Sequence, residues 1–328
     1  MPSGQRAQDA RASPWKRLRS RSLSVVLGLV AVVCPASAQP VIDYPDGSTN
    51  ASGIVISTNT TQLQVLVGSA TQSGVISETG GARPIQKIGV GTLNLTAANT
   101  YTGLTTISAG VLNIQTATAL GTVAAGTSVT SGAALQLQGG ITVGAEALTL
   151  NGLGVGGAGG ALLNISGTNI YGGAITLGSA SRINSDAGTL TLGGAVGGTG
   201  LGLTVGGAGN VTFNAGLNTG AAGTLTKDGA GTLTLTAAGT YTGLTTISAG
   251  VVNIQNATAL GTTAAGTSVT SGAALQLQGG ITVGAEALTL NGLGVGGADG
   301  ALRNISGTNT YGGAITLGVF LRRGPPVR

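Results

Sequence analysis

The stretch Gly91-Thr92-Leu93-Asn94-Leu95-Thr96, continued by Asn99-Thr100-Tyr101-Thr102-Gly103, Thr105-Thr106-Ile107 and Gly110-Val111-Leu112-Asn113-Ile114-Gln115, decides how the chain folds. Apolar and polar residues trade places at every position of Leu93-Asn94-Leu95 and of Leu112-Asn113-Ile114-Gln115. That period of two marks half-buried strands. Leu135-Gln136-Leu137 and Leu148-Thr149-Leu150 repeat it. Leu93, Leu95, Leu112, Ile114, Leu135 and Leu137 are expected to point inward. Clusters of Gly, Ser, Ala and Asn separate the strands, and no amphipathic helix interrupts them.

Outward from this stretch the chain repeats itself. Residues 87–178 align without gaps on 227–318 at an offset of 140, differing at about ten positions. A fainter half-period puts Tyr101, Tyr171, Tyr241 and Tyr311 each 70 apart, and Leu93-Asn94-Leu95 matches Leu163-Asn164-Ile165. Repetition of this kind points to stacked units.

Composition narrows the choice further. The 328 residues include 62 Gly, 2% aromatic and 7% charged residues, one Cys and no His. An ordinary domain carries about 7% Gly and 25% charged residues. Without His there is no Ser-His-Asp or Cys-His nucleophile and no His-ligated metal. A hydrophobic content of 41% argues against disorder, and Gly lacks the period of three that collagen needs.

The net charge of +5 and isoelectric point near 9.8 belong to the ends. Arg6, Arg11, Lys16, Arg17, Arg19 and Arg21 lie in the first 38 positions, and Arg322, Arg323 and Arg328 in the last ten. Residues 39–318 hold five basic against eight acidic side chains. No basic patch interleaved with aromatics exists there, so nucleic acid is not an expected partner.

Lys16, Arg17, Arg19 and Arg21 precede the apolar run Leu23–Val33, which ends at Pro35 and Ala36-Ser37-Ala38. An apolar run this short falls below the roughly 20 residues of a membrane-spanning helix. The pattern reads as a signal peptide over 1–38, cleaved between Ala38 and Gln39. A lipoprotein reading of Cys34 suffers from Val33, where a small residue belongs. Removing Cys34 leaves no Cys for a disulfide.

A sandwich or barrel competes with a right-handed parallel β-helix. Short strands need neighbours above and below, and near-identical globular domains risk misassembly, whereas identical coils stack. Gly supplies the positive-φ corners. The expectation is therefore an all-β solenoid. First coils or a leader occupy 39–74, a β-helical body 75–318, and a non-repeat tail 319–328. At about 23 residues per coil and about 4.8 Å per strand, roughly 12 coils make a rod of about 55–60 Å.

The run Gly89-x-Gly91-Thr92-Leu93-x-Leu95-Thr96 … Asn99-Thr100-Tyr101-Thr102-Gly103-x-Thr105-Thr106-Ile107 … Gly110-Val111-Leu112-x-Ile114 resembles the autotransporter-associated β-strand repeat. It recurs from Gly229 to Ile254, with Gly239 replacing the Asn. The segments Gly160–Leu177 and Gly300–Leu317 are similar to another unit of large autotransporter passengers. The resemblance implies a signal peptide, a β-helical passenger displayed outside a Gram-negative cell and a C-terminal barrel translocator.

The chain departs from that pattern at its end, where Val319-Phe320-Leu321-Arg322-Arg323-Gly324-Pro325-Pro326 replaces the Ser179-Ala180-Ser181-Arg182 of the first copy. No series of alternating ten-residue strands follows, as a membrane barrel would need. The break reads as a shifted or truncated reading frame, the tail is expected to be disordered, and the resemblance does not extend to self-translocation or anchoring.

A hydrolytic carboxylate pair stands about 5–9.5 Å apart. The acids of the body are Asp43, Asp46, Glu78, Glu146, Asp186, Asp228, Glu286 and Asp299. Only Asp43 and Asp46 are close in sequence, around Tyr44-Pro45, where a solvated turn is expected. Asp228 answers to Ile88 and Asp299 to Gly159, so neither belongs to the repeated design. Gly154-Val155-Gly156-Gly157-Ala158-Gly159 spells a dinucleotide fingerprint but has no following helix. Gly296-Gly297-Ala298-Asp299-Gly300 lacks the order of a calcium nonapeptide. The spaced tyrosines suit coil corners better than an adhesive stripe, and Thr and Asn are expected to form outward ladders.

No catalytic, cofactor or metal residues are expected, and no small-molecule substrate. The chain is expected to be an exported structural or adhesive passenger segment, an adhesin of the cell surface, outer membrane or medium. Its expected partners are the export machinery and a host surface, an abiotic surface or neighbouring cells. The alternative is a fragment of a carbohydrate-active β-helix enzyme whose catalytic part is missing.

Overall fold

The computed structural model describes residues 39–318. The signal segment 1–38, with Ala38 of the expected cleavage site, and the tail 319–328 lie outside the described residues. From Val41 onward the chain is a parallel β-solenoid with three faces. The short apolar-polar alternations each make one strand, and glycine-rich corners turn the chain between them.

The second face shows the stacking most completely. Thirteen strands follow one another, from Thr49–Asn50 through Thr92–Leu95 and Val111–Ile114 to Ile315–Leu317, joined by twelve parallel pairings. The first face starts with Val41–Asp43, Thr61–Gln64, Ile85–Ile88 and Thr105–Ile107. The third carries Ile54–Ile56 and Ile76–Glu78, and later Thr168–Tyr171, Thr189–Leu192 and Asn210–Phe213. Strand Ile175–Ser185 spans 11 residues and serves two faces, pairing first with Leu148–Leu150 and then with Leu162–Asn164. Two three-residue 3₁₀ turns, at Val155–Gly157 and Val295–Gly297, are the helical content of the described residues.

All six leucines and isoleucines assigned inward from the alternation, Leu93, Leu95, Leu112, Ile114, Leu135 and Leu137, are buried, and they belong to one continuous core. Between them, Asn94, Asn113 and Gln136 stack in register on the opposite side of the strands, Asn94 and Gln136 half-buried and Asn113 buried. Burying one such Leu contributes about 1.5–3 kcal/mol. The Asn-x-Tyr motif has a separate job. Asn99 Oδ1 accepts from the Ile76 amide at 2.8 Å, and its Nδ2 donates to Ala119 O at 2.6 Å, tying three turns together. Asn169 does the same for the Ile141 amide at 2.7 Å. A buried Asn with both ends paired satisfies corner backbone that no strand reaches.

The two sequence copies do not sit in phase. Climbing the first face from Lys87, the rungs are Ile107, Val129, Leu150 and Leu177; strand Ile175–Ser185 then pairs with Val196–Gly197, and that with Leu217–Asn218. These are six full turns. Lys227 follows not on this face but on the next, above Val205 and Ile183. The 140-residue repeat thus advances six turns and one third. Leu93 and Leu95 lie on the second face, while their equivalents Leu233 and Leu235 lie on the third, above Val211 and Phe213.

Candidate functional site

Chemistry-bearing side chains gather in four places. The first is a pair of lysine cages. In Ile85-Gln86-Lys87 the alternation sends Lys87 inward, where it is 1% exposed. Its Nζ donates to the carbonyls of Ile88 at 2.9 Å, Gly89 at 2.8 Å and Ala109 at 3.2 Å. Lys227 does the same to Asp228, Gly229 and Ala249 at 2.6, 2.7 and 3.3 Å. Three donors meet three corner carbonyls, the full capacity of an ammonium. Burial lowers both lysines to about 8. These cages hold corners together and present no free nucleophile. The sequence reading passed over them, although a Lys in an apolar slot of the alternation, repeated 140 residues later, was the signal.

The second place is a buried polar column beside the tyrosines. Tyr101 is fully buried, with its hydroxyl 2.8 Å from Thr105 Oγ1. Thr105 stacks in register on Thr127, whose hydroxyl donates to Glu146 Oε1 at 2.9 Å; this Thr ladder runs inside the rod rather than outward as expected, because each hydroxyl has a buried partner. Tyr241, Thr245, Thr267 and Glu286 reproduce the set, at 2.7 and 3.0 Å. Burial pushes both glutamates above the usual carboxylate range and the tyrosines above theirs. At Tyr171 and Tyr311 the residue four positions on is Ile, not Thr, and their hydroxyls find no partner. Tyr101, Tyr171 and Tyr241 are core residues, so no tyrosine stripe is available to a ligand.

The third is a charged network on the second face. Arg182 makes a two-pronged ion pair with Asp228, at 2.7 and 2.8 Å. The pair reaches across an intervening turn at Gly206, where a Cβ would lie 2.1 Å from both side chains. Arg182 also donates to Asn184 at 3.1 Å, and Asn184 to Asp186 at 2.8 Å. Asp186 and Asp228 therefore meet in one network, and both act as acceptors. Asp228 stands where the first copy has Ile88, and its partner Arg182 lies two turns before it.

The remaining acids are dispersed. Asp43 and Asp46 are exposed, and Asp46 accepts from the Ser69 amide at 2.8 Å. Glu78 takes hydrogen bonds from the Arg83 amide at 2.7 Å and from Thr102 at 2.5 Å. Asp299, from the calcium-like glycine run, pairs with Arg303 at 3.3 Å in solvent. No group of three acidic, His or Cys side chains that could hold a metal ion occurs among the described residues. The glycine fingerprint at 154–159 forms a 3₁₀ turn with left-handed Gly154, Gly156 and Gly157, so it offers no helix N-terminus to a phosphate.

The fourth place is a cavity of about 480 Å³ on the third face, with Asn99, Leu120, Val123, Val143 and Glu146 among its walls.

A family model described as the passenger-associated-transport-repeat matches residues 85–114 and 225–254. Each match covers a lysine cage and the two strands that flank the Asn/Gly-x-Tyr corner. No curated protein and no solved structure matches the chain.

Proposed function

We propose that this chain is the exported, surface-displayed passenger part of an autotransporter-like protein, with a structural or adhesive role and no catalysis of its own. Passenger-associated-transport repeats and a parallel β-solenoid fit an autotransporter passenger, and that family implies export to the surface of Gram-negative bacteria. The observation that carries the reading is the position of the two repeats within one unbroken core. Each turn covers the apolar edge of the turn before it, so a chain emerging from one end adds turns to a growing rod. Polar strand residues such as Thr71, Asn94, Thr106, Gln136 and Thr149 alternate with the buried ones on the outer side, which suits spacing and contact at a surface. The export machinery is the partner that places the rod there, and host surfaces, abiotic surfaces or neighbouring cells are what it meets.

The test is to express the chain joined to a translocator barrel in a Gram-negative host. Cleavage of the chain by protease added outside intact cells, with N-terminal sequencing that starts at Gln39, is the expected result. Adhesion to glass or to epithelial cells above that of the barrel alone is expected as well. Chain retained in the cytoplasm would overturn the reading. Turnover of pectin, peptidoglycan or host glycans that disappears in Asp186→Asn or Asp228→Asn would replace it with the carbohydrate-active alternative.

A further inference from the structure

Glu146 is an acid without a cation. Its side chain is 2% exposed, one oxygen is held by Thr127 at 2.9 Å, and the other takes no hydrogen bond. Neither ion pair among the described residues involves it. It is the one ionisable side chain lining the cavity of about 480 Å³ on the third face, where Val123 is the exposed apolar wall and Leu120 and Val143 lie buried beneath it. Tyr171, in register with Val143, is fully buried with an unpartnered hydroxyl and feels the Glu146 charge. Buried polar groups ordinarily find partners. Tyr171 stays behind the cavity wall, whereas the second Glu146 oxygen, free of Thr127, is at the opening and can accept a hydrogen bond. The complement is a cationic N–H donor on a methylene stem.

We propose that this cavity binds a primary alkylammonium group, paired with the Glu146 carboxylate while its methylene chain lies against the exposed Val123 side chain. Free alkylamines and lysine side chains both present that group. The second copy keeps Glu286 and Thr267 but has Thr263 for Val123 and Gly239 for Asn99, which removes an apolar wall. Binding therefore belongs to the first copy. Because burial favours the neutral carboxyl, affinity rises with pH as Glu146 ionises.

Titration of the full chain with n-butylammonium, followed by calorimetry and by NMR, tests this, with n-butanol as the uncharged control. One saturable site is expected, weakened at least tenfold by Glu146→Gln and unchanged by Glu286→Gln. Butanol is expected not to saturate. Val123→Thr, which installs the second copy's residue, is expected to weaken binding several-fold; it reads the site independently if Glu146→Gln does not fold. A lysine-containing tripeptide amide with the same sensitivity to Glu146→Gln would extend the site to protein side chains, and butylammonium binding alone would confine it to free amines. Absence of saturable butylammonium binding, equal binding of butanol, or full affinity in a folded Glu146→Gln variant would overturn the proposal.

Discussion

Leu163 and Arg303 occupy the same place in the two copies, and their surroundings differ completely. Leu163 is buried, because Asn184 of the following turn stacks on it. Arg303 has no described turn above it; it is part-exposed and turns to Asp299, itself a replacement for Gly159. The strand Leu162–Ser166 is largely buried, and its near-identical counterpart Leu302–Ser306 is not. Identical sequence thus sets identical strands, while burial of their outward side comes from whichever turn lies next. The same lesson explains Asp228, whose partner Arg182 is not part of its own repeat.

The severest test of this comparison is a charge in the core. Leu95→Asp and Leu235→Asp place a carboxylate at 0% and 3% exposed positions, and each should cost more than about 4 kcal/mol in a urea titration. Asn94→Asp, one residue away on the outward side, should stay within about 0.5 kcal/mol. Equal damage from Leu95→Asp and Asn94→Asp would break the inside–outside assignment.

Next come the lysine cages. Lys87→Met and Lys227→Met each remove three hydrogen bonds to part-buried corner carbonyls and should cost about 2–4 kcal/mol, slightly less for Lys87 because Ile88 O keeps the Val65 amide. The same lysines impose a pH dependence. Their folded value of about 8 lies below the ordinary 10.5, so between those values the unfolded chain binds more protons and stability rises with pH. Glu146 and Glu286 act in the opposite sense. Their raised values make stability fall as pH climbs upward from 4.5. Thermal melting across pH 4–10 should therefore pass through a minimum near neutrality, absent when both pairs are replaced by Met and Gln.

Asp228→Ile, which restores the first copy's residue, should cost about 1–3 kcal/mol because Arg182 loses its ion-pair partner while its side chain is only 15% exposed. The smallest expected effect separates the half-repeats. Tyr101→Phe gives up a hydrogen bond to Thr105 and should cost about 1 kcal/mol, whereas Tyr171→Phe removes an unpaired hydroxyl and should be neutral or stabilising.

The strands were legible in the sequence because inward positions such as Leu93 and Leu112 follow a period of two, and the solenoid because near-identical copies favour stacked coils over separate sandwiches. The 140-residue repeat was equally plain. Its phase was not, since turn length varies: Leu95 meets Ile114 nineteen residues on, but Leu137 meets Asn164 after twenty-seven. Only pairings reveal how many turns a repeat spans. The burial of Lys87 and Glu146 was not legible because charge ordinarily marks a solvated position, and here a carbonyl cage and a Thr hydroxyl receive it. The Arg182–Asp228 link was hidden by the 46 residues between its ends.

The extra third of a turn gives the rod a heading as well as a length. Each added copy would lengthen it by about 30 Å at about 4.8 Å per turn, and would point its surface a third of the way around from the copy before. Three copies would restore the original direction. Because every face obeys the same inside–outside rule, the core does not register the rotation. Gene segments of this size can therefore be gained or lost in tandem without the molecule having to close on a whole number of turns, so that copy number sets reach and direction together.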